Sequence, residues 1–209
     1  MTVRYVFSPF LTALCALLLT LSGCASTPNS NFYLLESLSG SRAPEGEVPL
    51  DQPIPIGLGP VTLPDYLDRP QIVTRTNQNT VLLAEFDRWA EPLSSNVSRT
   101  MAENLIYLLH NDNVVPYPWP GSIEVTYQVV VDVYRFDGVP GEKVWLDVQW
   151  SVRDKKGKNV LMLKRSTFVE PANGPSFGAL VAAQSRALEN LSREIASALQ
   201  SLSRDRVKE

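Results

Sequence analysis

Hydrophobic and polar residues alternate along two stretches in the second half of the chain, and a third strand-like stretch follows them. Apolar residues occupy every second position over 123–133 and again over 144–152, and 160–169 follows a polar turn at 154–159. A period of two is typical of strands that bury one face and leave the other largely wet. A turn at 138–141 joins the first two stretches, so the pattern predicts an antiparallel meander of three strands.

Two other stretches have the spacing of amphipathic helices. Just after Pro92, apolar residues recur every three to four positions over 93–111. A longer apolar stripe covers 177–202 and follows Ser176, a residue type that caps helices. The charged residues at 204–209 are predicted to fray, because nothing apolar holds them down.

The first half of the chain has shorter apolar runs separated by turn-forming residues. Pro53, Pro55 and Pro60 lack a backbone N–H, so their strand must place them at an edge, an end or a bulge. The run 37–52 contains glycines and prolines without periodicity, and we expect a mobile loop there. Strands are predicted at 53–63 and 114–115, a buried strand at 32–35, and a hairpin of 71–75 with 81–86.

Together these elements predict an α/β domain. Its mixed β-sheet contains the antiparallel meander, and two main helices pack on the sheet through their apolar stripes. We place the domain at 32–203, a length sufficient for one well-buried core.

The N-terminal residues resemble a bacterial lipoprotein signal. A single positive charge precedes an apolar run at 10–21, which is shorter than the ~20 residues of a membrane span. Two small residues then precede Cys24. We expect 1–23 to be removed as a signal peptide, Cys24 to carry a diacylglyceryl group, and 24–31 to form a flexible tether.

An ordinary secretory signal that ends before a cysteine by chance is the alternative, although such signals favour an A-x-A-like cleavage site. Ala25 and Ser26 follow the cysteine. They lack the aspartate that usually keeps enterobacterial lipoproteins at the inner membrane. By that resemblance, we expect the periplasmic face of the outer membrane.

Charge and cysteine content narrow the function classes. The chain has 19 basic and 22 acidic residues and no basic run, so it is a poor nucleic-acid binder. Cys15 would leave with the signal peptide and Cys24 would carry lipid, which leaves no pair for a disulfide.

Catalytic and metal-binding patterns are weak, and we expect no cofactor. His110 is the only histidine and ends a helix, where a cap or surface role is the simpler interpretation. No GxSxG or phosphate-binding glycine-rich loop occurs. The acidic residues Glu85, Asp87 and Glu91 around Trp89 leave open a wall-directed hydrolase or glycan-binding lipoprotein, since glycosidases use paired carboxylates.

Two stretches are candidates for partner binding. Asp65, Tyr66, Asp68 and Arg69 lie on a proline-bounded loop, where exposed polar residues often bind partners. The structural alternative is an internal network that joins Asp68 to Arg69 or to Arg88.

The second candidate is an aromatic tip. Tyr117 and Trp119 alternate with prolines in the segment 116–121. Aromatic residues are enriched at interface centres, so docking is one interpretation and core burial is the other.

Three blocks carry a family resemblance. They are the early 32–35 (FYLL), the block from Val61 to Val73 and the block from Arg88 to Leu93 (RWAEPL). In this order behind a lipoprotein signal, they resemble the ABC-type transport auxiliary lipoprotein family over essentially the whole mature domain.

The resemblance implies a fold similar to the anticodon-binding-domain type of α/β sandwich, and a function other than catalysis. Members are outer-membrane-anchored periplasmic lipoproteins that work with inner-membrane MCE-domain proteins in moving lipids between the membranes. One branch assembles into homo-oligomeric rings. The resemblance therefore implies an MCE-domain partner, a role in envelope integrity and a ring of identical subunits.

Overall fold

The computed structural model describes residues 28–40, 48–155 and 157–207. Within these residues the chain forms one sheet of eight strands, two helices and one short 3₁₀ turn at Leu38–Gly40. The strands are β1 (Asn31–Tyr33), β2 (Ile56–Thr62), β3 (Gln71–Asn77), β4 (Thr80–Trp89), β5 (Val114–Pro116), β6 (Tyr127–Val139), β7 (Lys143–Asp154) and β8 (Val160–Pro171), and the helices are α1 (Leu93–Leu109) and α2 (Phe177–Val207).

The sheet is mixed and is built around β6. On one side, β2 runs parallel to the first half of β6, and β3 meets β6 at Gly138. On the other side, β7 runs antiparallel along the full length of β6, and β8 extends the meander. Beyond β2 and β3, the sheet continues to β5 on one side and to β4 and β1 on the other. The predicted meander and the predicted β3–β4 hairpin are both confirmed.

Both helices pack on the sheet and against each other, which confirms the predicted fold class. The apolar stripes predicted from the spacing form the core, because burying such stripes is the main source of helix stability in a domain. The stripe residues that are buried are Leu93, Val97, Met101, Leu105, Leu108 and Leu109 on α1, and Leu180, Val181, Ala187, Leu188, Leu191, Ile195 and Leu199 on α2.

Strand β2 lies inside the sheet although it contains Pro60, because this proline occupies a bulge. The register of β2 against β6 shifts between Leu58 and Val61, and Pro60 lies at that shift. Gly59 has φ +121°, a conformation that side chains disfavour, so glycine is needed here. The prediction that this strand needs an edge, an end or a bulge is confirmed.

Buried side-chain amides of α1 hold the segment that follows β1. Asn96 Oδ1 accepts a hydrogen bond from the Leu35 N–H at 3.2 Å, and Asn104 Oδ1 accepts one from the Leu38 N–H at 2.7 Å. Asn104 also donates to Ser192 Oγ on α2 at 3.3 Å. Polar positions inside an apolar helix face therefore fix the chain that follows the predicted tether.

The boundaries predicted for the first meander strand were wrong at both ends. The strand begins at Tyr127 because Ile123 and Thr126 bond outside the β6–β7 ladder, to the carbonyls of Pro120 and Pro55. It continues past Val133 to Val139, and the chain then reverses at the predicted turn, where the Glu142 N–H bonds to the Val139 carbonyl.

The predictions for the two ends of the domain also need correction. β1 is an edge strand with Phe32 65% exposed, and Leu35, which follows it, is the buried residue. At the other end, α2 continues to Val207, so the part of the predicted frayed tail that the structure describes is helical.

The predicted mobile loop at 37–52 is ordered at both described ends. Leu38 is buried in the 3₁₀ turn. The N–H groups of Val48 and Leu50 bond to the carbonyls of Leu108 and Leu109 at 2.9 and 3.1 Å, because the last carbonyls of α1 lack helical partners. Residues 41–47 lie outside the described residues.

Candidate functional site

The loop that follows β2 is a tight turn with its carboxylates outside. The Leu67 N–H bonds to the Pro64 carbonyl at 2.9 Å, and Leu67 is buried beneath the loop. Asp65 and Asp68 are exposed. The loop therefore presents two acidic side chains in a fixed position.

Tyr66 belongs instead to a buried ionic cluster on the face of the sheet that the helices do not cover, which we call the open face. Its hydroxyl donates to Asp137 Oδ2 at 3.0 Å. The same carboxylate accepts bonds from Arg75 Nη2 at 2.8 Å and Arg135 Nε at 2.7 Å, and the Asp137 side chain is 0% exposed. The alternative predicted for this loop was wrong: among the described residues, no ion pair joins Asp68 to Arg69 or to Arg88.

This cluster shifts the pKa values of its members. Burial would raise the pKa of the Asp137 carboxyl, but hydrogen bonds from Arg75 and Arg135 and their charges outweigh burial and hold it below its ordinary 3.8. Burial and the Asp137 charge raise the pKa of Tyr66 to about 12. The carboxylate is therefore ionised and the phenol neutral throughout the physiological range.

The sequence block from Val61 to Val73 and the block from Arg88 to Leu93 meet at one open cavity. The Trp89 N–H bonds to the Pro70 carbonyl at 2.7 Å, which joins β4 to the end of the loop. A cavity of about 400 Å³ lies at this junction, and Arg69 contributes to its wall. The Nε atom of Arg69 is buried and has no hydrogen-bond partner among the described residues. Its lining residues are Asp68, Arg69, Pro70, Trp89, Ala90, Glu91 and Pro92.

Two of the three acidic residues beside Trp89 bond within the fold, whereas Glu85 is exposed. Asp87 Oδ1 accepts a bond from the Tyr33 hydroxyl at 2.7 Å, and burial with this bond raises the pKa of Tyr33 to about 12. Glu91 pairs with Arg99 at 2.8 Å. Trp89 is only 4% exposed, so its ring cannot serve as the platform for a sugar that the hydrolase alternative needs.

The aromatic tip is divided between packing and exposure. The Trp119 ring covers Gly57 so closely that a Cβ there would lie 2.6 Å from the ring. Tyr117 stacks edge-on against Trp119 with the ring centroids 5.6 Å apart and is 56% exposed. Trp119 is thus partly buried against β2, while Tyr117 is exposed.

The structure keeps the two predicted binding stretches apart. The tip packs on the first half of β2, whereas the acidic loop follows the end of β2. Sequence reasoning missed Asp137 and its partners Arg75 and Arg135. A signal existed in the run Arg135–Asp137 within a strand, since a buried carboxylate is retained only with charged partners.

The cap assignments are confirmed. Ser176 Oγ accepts a bond from the Ala179 N–H at 3.1 Å at the start of α2. His110 ends α1 with φ 48° and is exposed. No group of three or more metal-ligating side chains occurs in the described parts of the chain, and none of the described helices is long and apolar enough to cross a membrane. Cys24 and the predicted signal peptide lie outside the described residues.

A sequence model of the ABC-type transport auxiliary lipoprotein component matches residues 33–196, which is most of the chain. The chain belongs to the ABC-type transport auxiliary lipoprotein family. The resemblance that the sequence blocks predicted is therefore confirmed, and the junction cavity is built from two of those blocks. Family membership supports a transport-associated role in the cell envelope.

Curated relatives and solved structures agree with this family. The chain is 32% identical over 138 residues to the intermembrane transport lipoprotein PqiC of Escherichia coli (strain K12), a match that covers 63% of this chain and 68% of that protein. A crystal structure of a Xanthomonas campestris protein gives a TM-score of 0.71 at 14% identity, over 86% of this chain and 100% of that one. A second structure, of an uncharacterized protein, gives 0.65 at 18% identity, over 82% and 99%. The structural likenesses show the fold alone.

Proposed function

We propose that this protein is an outer-membrane-anchored periplasmic lipoprotein that acts as a non-catalytic auxiliary subunit of an MCE-type intermembrane lipid transport system. Its domain docks an MCE-domain protein of the inner membrane, and the transport that it supports maintains envelope integrity. The relative PqiC is itself described as an intermembrane transport lipoprotein.

The observation that carries this proposal is the junction of the two family blocks. Both blocks contribute to one open cavity, and Arg69 is among the residues that line it. The exposed Asp65 and Asp68 lie on the same loop. A partner segment that enters the cavity can contact the Arg69 side chain, and basic residues around that segment can pair with the two carboxylates.

Anchoring follows from the predicted lipid on Cys24. The tether 24–31 spans at most about 28 Å when fully extended. The domain would therefore remain close to the membrane surface. Ala25 and Ser26, the residues after Cys24, carry no charge, and this supports anchoring in the outer membrane.

A ring of identical subunits is the proposed assembly. β8 is a twelve-residue strand that pairs with β7, and its other edge is unpaired among the described residues. Val160, Leu163 and Val169 on this strand are exposed. A long edge with exposed apolar side chains can pair with another chain, and a neighbouring subunit would cover it.

Copurification from envelope membranes tests the partner. We expect the tagged full chain, extracted in mild detergent, to retain an MCE-domain protein, and light scattering on the same eluate to give the mass of a homo-oligomer. The double variant Asp65→Lys, Asp68→Lys should lower the retained amount at least about tenfold, because reversed charges disfavour the docking surface.

Asp112→Lys is the matched control, since Asp112 is also exposed but lies beyond the end of α1. It should retain the partner as the wild type does. Equal retention by the double variant would refute docking at this loop. Glycan turnover by the wild type, lost in Glu85→Gln or Asp87→Asn, would support the hydrolase alternative in place of the proposal.

A further inference from the structure

A cationic pocket lies on the open face of the sheet, away from the junction cavity. The guanidinium carbon of Arg135 lies 4.2 Å from the centre of the Trp145 ring, and Lys143 Nζ lies 4.8 Å from it. Arg75 approaches the same space from β3. The pocket has a volume of about 390 Å³ and is lined by Arg75, Thr76, Asn77, Gln78, Arg135, Val139 and Trp145.

Positive charge at this pocket exceeds the negative charge that faces it. Asp137 is fully buried and occupied by Arg75 and by the Nε atom of Arg135. Asp147, which lies opposite Arg135 in the β6–β7 register, accepts a bond from the Thr167 hydroxyl at 2.7 Å. Among the described residues, no carboxylate pairs with Lys143 or with the terminal nitrogens of Arg135. These groups can bind an anion.

Exposed apolar side chains adjoin the pocket. Val81 lies directly opposite Arg75 in the β3–β4 register, and Leu83 lies two residues further along. Residues opposite each other, and those two apart, share a face of an antiparallel pair, so both lie on the face of Arg75. Val81 is 36% and Leu83 46% exposed. A molecule that satisfies both parts of this surface must carry an anion beside a hydrocarbon chain.

We propose that this pocket binds the phosphate of an anionic glycerophospholipid, with its acyl chains against Val81 and Leu83. Guanidinium groups match the geometry of phosphate oxygens. The Trp145 ring is already covered by two cations, which disfavours both the stacking of a nucleobase and the cationic headgroup of a zwitterionic lipid. This inference deepens the proposed function, because it adds direct contact with the transported class of molecule.

Native mass spectrometry of the full lipid-modified chain tests the inference. The protein is released from dodecyl maltoside micelles that contain equal amounts of phosphatidylglycerol and phosphatidylcholine. We expect retained phosphatidylglycerol to exceed phosphatidylcholine at least about tenfold, and Lys143→Glu to abolish this preference. Lys143 is exposed and makes no ion pair in the described residues, so the fold should tolerate the change.

Two matched controls sharpen the test. Arg165→Glu makes the same change of charge at a residue that stacks on Tyr134, outside the pocket, and should keep the preference. Leu82→Ser replaces a residue on the opposite face that is 56% exposed and should have no effect, whereas Val81→Ser with Leu83→Ser should lower total retained lipid severalfold.

Retention of both lipids in equal amounts, or a preference that survives Lys143→Glu, would overturn the inference. Displacement of the lipid by an equal concentration of glycerol 3-phosphate would also overturn it, since the site would then recognise a soluble phosphate ester. These outcomes are independent of copurification with an MCE-domain protein, which tests the proposed function separately.

Discussion

We expect a Cys24→Ala variant to move almost completely from the membrane fraction to the soluble fraction. Each buried methylene contributes about 0.8 kcal/mol to membrane binding, and two acyl chains together anchor a protein stably. Without the sulfur there is no site for the diacylglyceryl group. Fractionation of the cell envelope, followed by immunodetection of the protein, measures this change.

Cys15 provides the matched control because it lies within the predicted signal peptide. Cys15→Ala should leave the protein in the membrane fraction, and the mature N-terminal peptide should carry the mass of the lipid in both the wild type and this control. A Cys24→Ala protein that stays in the membrane fraction would show that something other than a lipid holds it there.

Asp137→Asn should destabilise the domain by about 3 kcal/mol. The Asp137 carboxylate is fully buried and forms ion pairs with Arg75 and Arg135. Its removal leaves both guanidinium groups without a charged partner. Urea unfolding followed by tryptophan fluorescence measures the loss. Asp147→Asn is the control on the same sheet face: its partner is a single hydroxyl, and the expected cost is below about 1 kcal/mol. Equal losses in the two variants would contradict the structural role of the cluster.

The stability difference between the wild type and Asp137→Asn should depend on pH. Because the pKa of Asp137 is lower in the fold than its ordinary 3.8, the carboxylate contributes its stability above that pH and loses it as the pH falls through the folded value. The stability difference between the wild type and Asp137→Asn should therefore be constant near neutral pH and shrink below about pH 4. A difference that stays constant down to pH 2 would contradict the shift.

Periodicity predicted the elements that bury a complete face. The stripes of α1 and α2 and the alternation along β6 and β7 were sufficient to place the helices on the sheet. Strand ends were harder to predict, because local hydrogen bonds decide them. The carbonyls that hold Ile123 and Thr126 at the start of β6 are examples, since nothing in the alternation itself indicates them.

Polar positions within apolar patterns were the main source of error. Asn96 and Asn104 lie among the apolar positions of α1 and bind the backbone of the segment after β1. Asp137 lies beyond the alternation at 123–133 and is fully buried. Burial of such groups depends on partners that are distant in the sequence, so a single pattern cannot reveal them.

The candidate sites were predicted in part. The acidic loop was recognised as a surface feature, and Asp65 and Asp68 are exposed there. Tyr66 was grouped with the exposed residues, but its hydroxyl bonds to Asp137 in an ionic cluster. Docking and core burial both stayed open for Trp119, and its ring packs against Gly57. An aromatic residue in a loop has the same sequence signature in either role, and only the packing distinguishes them.

Photo-crosslinking in intact cells tests the central claim most directly. A photoreactive amino acid placed at Asp68, in the otherwise native chain, reports what contacts the loop of Asp65 and Asp68 in the envelope. The account predicts a covalent adduct with an inner-membrane MCE-domain protein, and no such adduct from the same probe at Asp112. Efficient crosslinking at Asp68 to other proteins or to wall glycan, with the MCE-domain protein absent from every adduct, would contradict it.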